Sequence, residues 1–479
     1  MTERYGGLAP ELQSGLDPEV ADVLASWAEL HNRYYTLERW LVNGRSRQPV
    51  AVVCEIDSHT TKATMLVLKV LSPQTGSLRT IEFARHRQAE LEHSAFAAAH
   101  LSTFFHDAIA VPASNRWITF QRIAAQSLEN TEVLTALLRR MIGLTDETES
   151  PATREISCTP GIFTDSCRSI VAGVLNEWAG PPFLRPQLEW HLAAFFERHL
   201  FDQLEPEGRL GSWARDHPTD LIRVEGEPEP LPNPFAVAQG RLLAEVRLAP
   251  LLGRSHGDLH TDNALIRVRP RIEAADYYLI DTALYESAGP LTRDPAHLLL
   301  YVIARSMATI APHQQSALIE LLLDPVGGPA DLVPGWLAML IRGLEAETGS
   351  WVAESGLAQR WREQNYLSLA ACALLFLGRT STRDTDKPWF LRLAARAVAR
   401  FAAERGVPVD GSVAPAAEIP APGTPLAAAP APAPPASPPA GGSDNGRADR
   451  RKKAAKYDIR MKNARGVQIG ENNQQFNIG

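Results

Sequence analysis

The chain has 479 residues, 45% of them hydrophobic and 22% charged, and a net charge of −7. That length supports two or three domains and excludes a mini-protein that needs staples, while the composition excludes a wholly disordered chain. The acidic balance argues against dedicated nucleic-acid binding. Lysine is nearly absent: of 48 basic residues only seven are lysine, at 62, 69, 387, 452, 453, 456 and 462. Where arginine is the default cation, a lysine inside an apolar stretch asks for a reason, and Lys69 is that residue. Cys54, Cys158, Cys167 and Cys372 are widely spaced with no zinc-ligand pattern and read as reduced thiols.

Met1–Pro10 is polar and lacks a signal-peptide pattern, and the longest apolar run, Leu367–Leu377, is too short to span a bilayer, so a cytoplasmic protein is expected. An N-terminal extension over 1–35 reads as helical. Strand-like runs rich in β-branched residues follow at Pro49–Ile56, Ala63–Leu71 and Trp117–Ile123. Between the second and third, Glu82–His100 has no Gly or Pro and predicts one helix. From Leu128 to Glu404 helical patterns dominate, including Glu189–Leu204, Ala296–Leu323 and Pro388–Glu404. The one strand pair expected there is Asn263–Val268 with Tyr277–Ile280, a hairpin. An acidic, proline-rich insertion between Trp213 and Gly240 (EGEPEPLPNP) reads as a solvated loop or as part of a site for a cationic acceptor. Residues 405–440 hold 11 Pro and 11 Ala, a semi-rigid spacer rather than a domain. Gly441–Gly479 carries nine basic and four acidic residues, so an acidic body precedes a basic tail.

The densest chemistry lies in Ser255–Asn263 (SHGDLHTDN) and Leu279–Ala283 (LIDTA). Asp258 and Asn263 stand five apart, and Asp281 follows beyond the hairpin. A carboxylate and an amide carbonyl are hard oxygen donors that suit Mg2+ on ATP, with places left for phosphate and water, while a separate carboxylate orients and deprotonates an acceptor hydroxyl. Asp258 is the candidate base and Asn263 and Asp281 the candidate metal ligands.

H-G-D-L-H-x-x-N followed by a hydrophobic-Asp strand end resembles the aminoglycoside phosphotransferases and related small-molecule kinases. His256, Gly257, Asp258, Leu259, His260, Asn263 and Ile280–Asp281 match; Thr282 replaces the usual Phe. Arg293–Asp294–Pro295–Ala296 resembles the family's G-D-P-A segment, in which the aspartate braces the catalytic loop. The resemblance further implies that His256 and His260 are structural, with the first bridging backbone groups across the loop.

It also implies a strand lysine for the phosphates of ATP, and Lys69 fits. A helix glutamate should hold that lysine. Glu82, Glu90 and Glu92 compete, and Glu90 is preferred because it lies on a stripe with Phe83, Ser94 and Ala97. The phosphate-covering turn would be Val42–Arg47, with Gly44 and Ser46 as its contacts; among kinase-like proteins this turn is most similar to that of the ternary-complex-associated kinase-like domains of bacterial conflict systems. Gln121–Ala124 would be the hinge, with Gln121 and Ile123 offering backbone groups to adenine.

The final residues, GVQIGENNQQFNIG, place Val467 and Ile469 on one strand face and Phe476 and Ile478 on another, with one charge and many amides between. V-Q-I-G (Val467, Gln468, Ile469, Gly470) resembles the RIP-homotypic-interaction-like amyloid signalling motifs of bacterial immune-type proteins; a disordered tail is the competing reading. The expected architecture is therefore a bilobal α+β kinase-like body: extension 1–35, N-lobe 36–127, helical C-lobe 128–404, linker 405–455 and amyloid motif 456–479. The expected activity is ATP- and Mg2+-dependent phosphotransfer to an unknown acceptor, in a protein that self-assembles through its tail and meets a partner with a matching motif. A pseudokinase scaffold and a pure adaptor are the alternatives.

Overall fold

The computed structural model describes residues 6–41, 49–71, 78–124, 128–144, 156–181 and 188–409. The expected phosphate-covering turn with Gly44 and Ser46, the linker from residue 410 on and the tail motif all lie outside them.

Two apolar runs and their alternation build the small lobe. Strands β1 (Gly7–Leu8), β2 (Arg33–Trp40), β3 (Val50–Asp57), β4 (Ala63–Leu71), β5 (Ile109–Val111) and β6 (Arg116–Arg122) form one sheet in the order β1-β2-β3-β4-β6-β5. Because side chains alternate between faces, Leu66, Leu68 and Val70 of β4 share a face with Ala51, Val53, Ile118 and Phe120, and all are buried. Val67 and Lys69 turn to the other face, with Val50 and Thr119 directly across from Lys69.

Residues 6–35 pack onto the small-lobe sheet. Helix α1 (Pro10–Gly15) and helix α2 (Pro18–Leu30), which starts at an Asp17 cap, lay Leu12, Val20, Leu24 and Ala28 on the buried sheet face and complete its core. Arg116 of β6 ties the start of α2 down through Asp17 at 2.8 Å and Glu19 at 3.2 Å.

The predicted helix over 82–100 is two helices, α3 (Leu78–Glu92) and α4 (Ser94–His100). His93 leaves the helical conformation, and its ring accepts the Phe96 amide, acting as a cap that propensity does not reveal. The chain after α4 joins the large lobe: Ser102 N donates to Leu279 O at 3.1 Å, and His100 Nδ1 meets Tyr277 O at 3.0 Å.

The large lobe is mainly helical around one apolar core, with more strand than expected. Beside the hairpin Ala264–Arg267 and Glu273–Leu279, which β7 (Thr131–Val133) extends to three strands, Leu252–Ser255 pairs with Glu286–Pro290, and two further pairs are two residues long. The predicted run 296–323 breaks into Arg293–Ser306 and Pro312–Leu323, because Pro312 has no amide to donate and opens a new helix. Glu189–Leu204 reduces to an α-helix over Leu192–Leu200 and a tighter turn. The helix read over Pro388–Glu404 forms, beginning one residue earlier at Lys387. In the acidic insertion Glu225 and Glu229 are exposed, as a solvated loop would be, while Glu227 bonds Arg392 and Arg396 on this last helix. Among the described residues no helix is long and apolar enough to cross a membrane.

Candidate active site

Strand Leu252–Ser255 delivers the chain into the H-G-D turn, which is held from below by one buried carboxylate. Asp294, at the start of the Arg293–Ser306 helix, accepts the His256 amide at 2.7 Å and the Gly257 amide at 2.9 Å, one on each oxygen. Gly257 has φ +79°, and a Cβ there would sit 2.1 Å from the Leu284 carbonyl oxygen, so the turn is open only to glycine. His256 Nδ1 accepts the Asp258 amide at 3.3 Å, leaving the Nε2 proton to bond Ile280 O at 2.9 Å. One imidazole thereby ties the Asp258 loop to the strand end that carries Asp281. Asn263 adds a second tie: its Nδ2 donates to Asp258 O at 3.0 Å, and its own carbonyl accepts the Ile280 amide at 3.0 Å.

Asp258 is 5% exposed and lies between two rings, with His260 Nε2 3.6 Å from Oδ2 and His297 Nδ1 3.6 Å from Oδ1. Burial pushes its carboxyl up; His260, His297 and the charge of buried Arg379 outweigh that and hold it well below the usual aspartate range. At neutral pH it is a carboxylate. Asp281 has φ +60°, and its Oδ1 is buried without a hydrogen-bond partner. An orphaned buried carboxylate oxygen beside an asparagine loop fits a cation, since leaving it bare costs free energy. Among the described residues no three His, Cys, Asp or Glu side chains cluster to hold a metal, so Asn263 and Asp281 would leave most positions to phosphate oxygens and water.

The structure does not bring the expected lysine and glutamate together. Among the described residues no carboxylate lies within ion-pair distance of Lys69. Glu90 is engaged by its own helix, with Arg87 Nη1 donating to Oε2 at 2.8 Å and His86 Nε2 3.4 Å from Oε1. Burial pushes Glu90 up, but His86 and Arg87 prevail and lower it. Glu92 accepts the Tyr285 hydroxyl at 2.7 Å and Gln88 Nε2 at 2.7 Å; the side chain of Glu82 is outside the described residues. The reason is geometric: α3 spends its polar contacts on itself and on the large lobe, where His86 Nδ1 also meets Thr282 Oγ1 at 2.7 Å.

At the expected hinge, Gln121 is still inside the sheet, paired with Val67 and bridged to Phe104. Ile123 lies just past the ladder. It lines a cleft of about 780 Å³ together with Ala98, Leu101, Ser102, Arg267 and Tyr278, and none of Lys69, Asp258, Asn263 or Asp281 borders that cleft. His297 and Arg379 were missed from the sequence. They come from distant helices, and only the spacing of His297 three residues after Asp294, one turn along the same helix, could have drawn attention to either.

No family model matches the sequence, and no curated protein does. Three solved structures align over most of the chain. A candidate aminoglycoside phosphotransferase of Ralstonia eutropha JMP134 is 14% identical, with 80% of this chain and 98% of that one covered and a TM-score of 0.38. A glucosamine kinase is 11% identical, with 82% and 99% covered and a TM-score of 0.34. The choline kinase of Cryptosporidium parvum Iowa II is 8% identical, with 78% and 89% covered and a TM-score of 0.24. At these values none of the three decides family or activity, which rest on the residues themselves.

Proposed function

We propose that this chain is an ATP- and Mg2+-dependent phosphotransferase with an alcohol-type acceptor, recruited or concentrated through templated assembly of its C-terminal motif. The observation that carries the reading is the joined pair of loops. His256 and Asn263 tie the loop of an ionised Asp258 to the strand end that presents the bare Oδ1 of Asp281. When bound, MgATP supplies the γ-phosphoryl group and neutralises its charge. Asp258 accepts the proton of the acceptor hydroxyl as the new oxygen–phosphorus bond forms and ADP leaves. Asn263 and Asp281 would hold the cation, and Lys69 would contribute an ammonium to the phosphates. Brace Asp294 and bridge His256 keep the base loop in register with the cation loop.

The tail residues Val467–Gly470, Phe476 and Ile478 supply the assembly core, and the partner is a protein with a matching motif, in the setting of bacterial immune signalling and the cytoplasm. Support for this part is the sequence pattern alone.

A second reading, a nucleotide-binding scaffold without turnover, is favoured by Glu90 being engaged away from Lys69. The two are separated by incubating full-length protein and its Asp258→Asn variant with ATP and cell lysate, and detecting phosphorylated products by mass spectrometry. Products with wild type and none with the variant support transfer; equal products sink it. A thermal shift with MgATP that Asp281→Asn removes, in the absence of any product, supports the scaffold. A body that ignores nucleotide altogether leaves only an adaptor role for residues 441–479.

A further inference from the structure

The two imidazoles beside Asp258 have one property in common. Each has a ring nitrogen buried without a hydrogen-bond partner, His260 Nε2 and His297 Nδ1, and these are the two atoms that stand 3.6 Å from the Asp258 oxygens. The opposite nitrogen of each ring is already taken. The Asp262 amide donates to His260 Nδ1 at 3.2 Å, and Arg379 Nη2 lies 2.8 Å from His297 Nε2.

Backbone amides and guanidinium groups can only donate, so both of these ring nitrogens must be acceptors and carry no proton. A neutral imidazole has a single N–H, which therefore sits on the nitrogen that faces Asp258. Protonating His297 would set two donors and two positive charges 2.8 Å apart in a site where His297 is 2% and Arg379 4% exposed. Burial and Arg379 both push His297 well below its ordinary value, in agreement.

We infer that His260 and His297, in opposite tautomers fixed by the Asp262 amide and by Arg379, form a two-sided N–H clamp that orients the Asp258 carboxylate toward the acceptor. The packing holds the clamp from outside: His260 stacks on Tyr301 with ring centres 4.4 Å apart, and the Arg379 guanidinium lies 4.3 Å over Phe376. The Tyr301 hydroxyl donates to Asp262, fixing the loop that supplies the amide. His297 and Asp294 leave the same helix, so one element braces the backbone of the base and aims its side chain. At 3.6 Å the clamp contacts are a few tenths of an ångström longer than full hydrogen bonds, as is common for catalytic groups before substrate binds. With each oxygen approached by one ring N–H, the plane of the carboxylate is fixed, and His260 and His297 act as positioning residues.

The clamp stands on geometry alone, while its role in transfer rests on the phosphotransferase reading; the test separates the two. In full-length protein with 15N-labelled histidine, long-range 1H–15N spectra should show His297 protonated at Nδ1 and bare at Nε2, and His260 the reverse, with signals assigned through His297→Gln and His260→Gln. A His297 that is an imidazolium, or protonated at Nε2, overturns the clamp whatever the activity. For turnover, His297→Leu should lower kcat about 10–100-fold with KM for ATP unchanged. His297→Gln, whose amide can still donate to Asp258, should recover part of the loss. If wild type transfers phosphate and His297→Leu retains its kcat, the positioning role is refuted. If wild type transfers nothing, the phosphotransferase reading fails, and the spectra still decide the clamp.

Discussion

Replacing Asp294 by alanine tests the brace under the candidate base loop, and its cost can be worked from two hydrogen bonds. The carboxylate accepts the His256 and Gly257 amides at 2.7 and 2.9 Å, each on its own oxygen, and the residue is 1% exposed. No other acceptor is bonded to either amide among the described residues. An orphaned buried amide costs about 1–3 kcal/mol, so two cost about 2–6 kcal/mol. Part of this returns because the buried carboxylate is itself strained: burial, the largest influence on it, raises Asp294 above the ordinary aspartate value even though its partners pull the other way. The net expectation for Asp294→Ala is a loss of about 2–3 kcal/mol, measured as a lower urea midpoint at constant slope. Asp294→Asn keeps one acceptor and turns an NH2 on the other amide, so it should lose about 1–2 kcal/mol. If Asp294→Ala unfolds within about 0.5 kcal/mol of wild type, below the cost of a single orphaned amide, that carboxylate does not hold the turn.

Three further outcomes concern the site and the large lobe around it. Gly257→Ala should cost more than about 2 kcal/mol and any phosphotransfer activity, since it combines a left-handed φ of +79° with a Cβ 2.1 Å from a backbone oxygen; Gly349→Ala, mid-helix with nothing within 4 Å, should stabilise by about 1 kcal/mol, and both are read by urea unfolding. Acid should destabilise the body well before its carboxylates titrate. His199 is fully buried and pushed down to about 3, chiefly by burial, so the folded state refuses a proton that the unfolded state takes up near 6.5, and stability falls as pH drops through 6.5. Between pH 7 and pH 5 this one group removes about 2 kcal/mol, His297 acts in the same direction, and unchanged urea midpoints over that range would contradict both assignments.

How much of this was legible in the sequence depended on whether the determining contact was local. The strands around Lys69 were readable because their β-branched alternation is itself the cause of the fold, and Ala63–Leu71 forms with the bounds read from it. Pro312 was a readable stop that the apolar pattern on either side concealed. The break at His93 was not readable, since a histidine ring capping a helix competes with no propensity scale. The first 35 residues carried their own signal, the stripe Val20, Leu24 and Ala28, but a stripe says that a helix needs a partner and not that the partner is the neighbouring sheet. In the candidate site, Asp258, Asn263 and Asp281 sit close in sequence and were found together. Arg379 becomes part of the site only because the Ala358–Gly378 helix ends against His297, which no local pattern encodes.

The separation of Lys69 from Glu90 has an energetic reading. Glu90 is half-buried and holds Arg87 at 2.8 Å and His86 at 3.4 Å within its own helix, contacts that are each worth at most about 1 kcal/mol in partly solvated positions. A pair with Lys69 would be worth about the same and would have to displace them, so the protein alone gains little from either arrangement. Meanwhile α3 and the chain after it are fixed to the large lobe by His86 on Thr282, Glu92 on Tyr285 and Ser102 on Leu279, all within a few residues of Asp281. On the proposed reading, a bound phosphate would give Lys69 the counter-charge that Glu90 gives to Arg87 and His86.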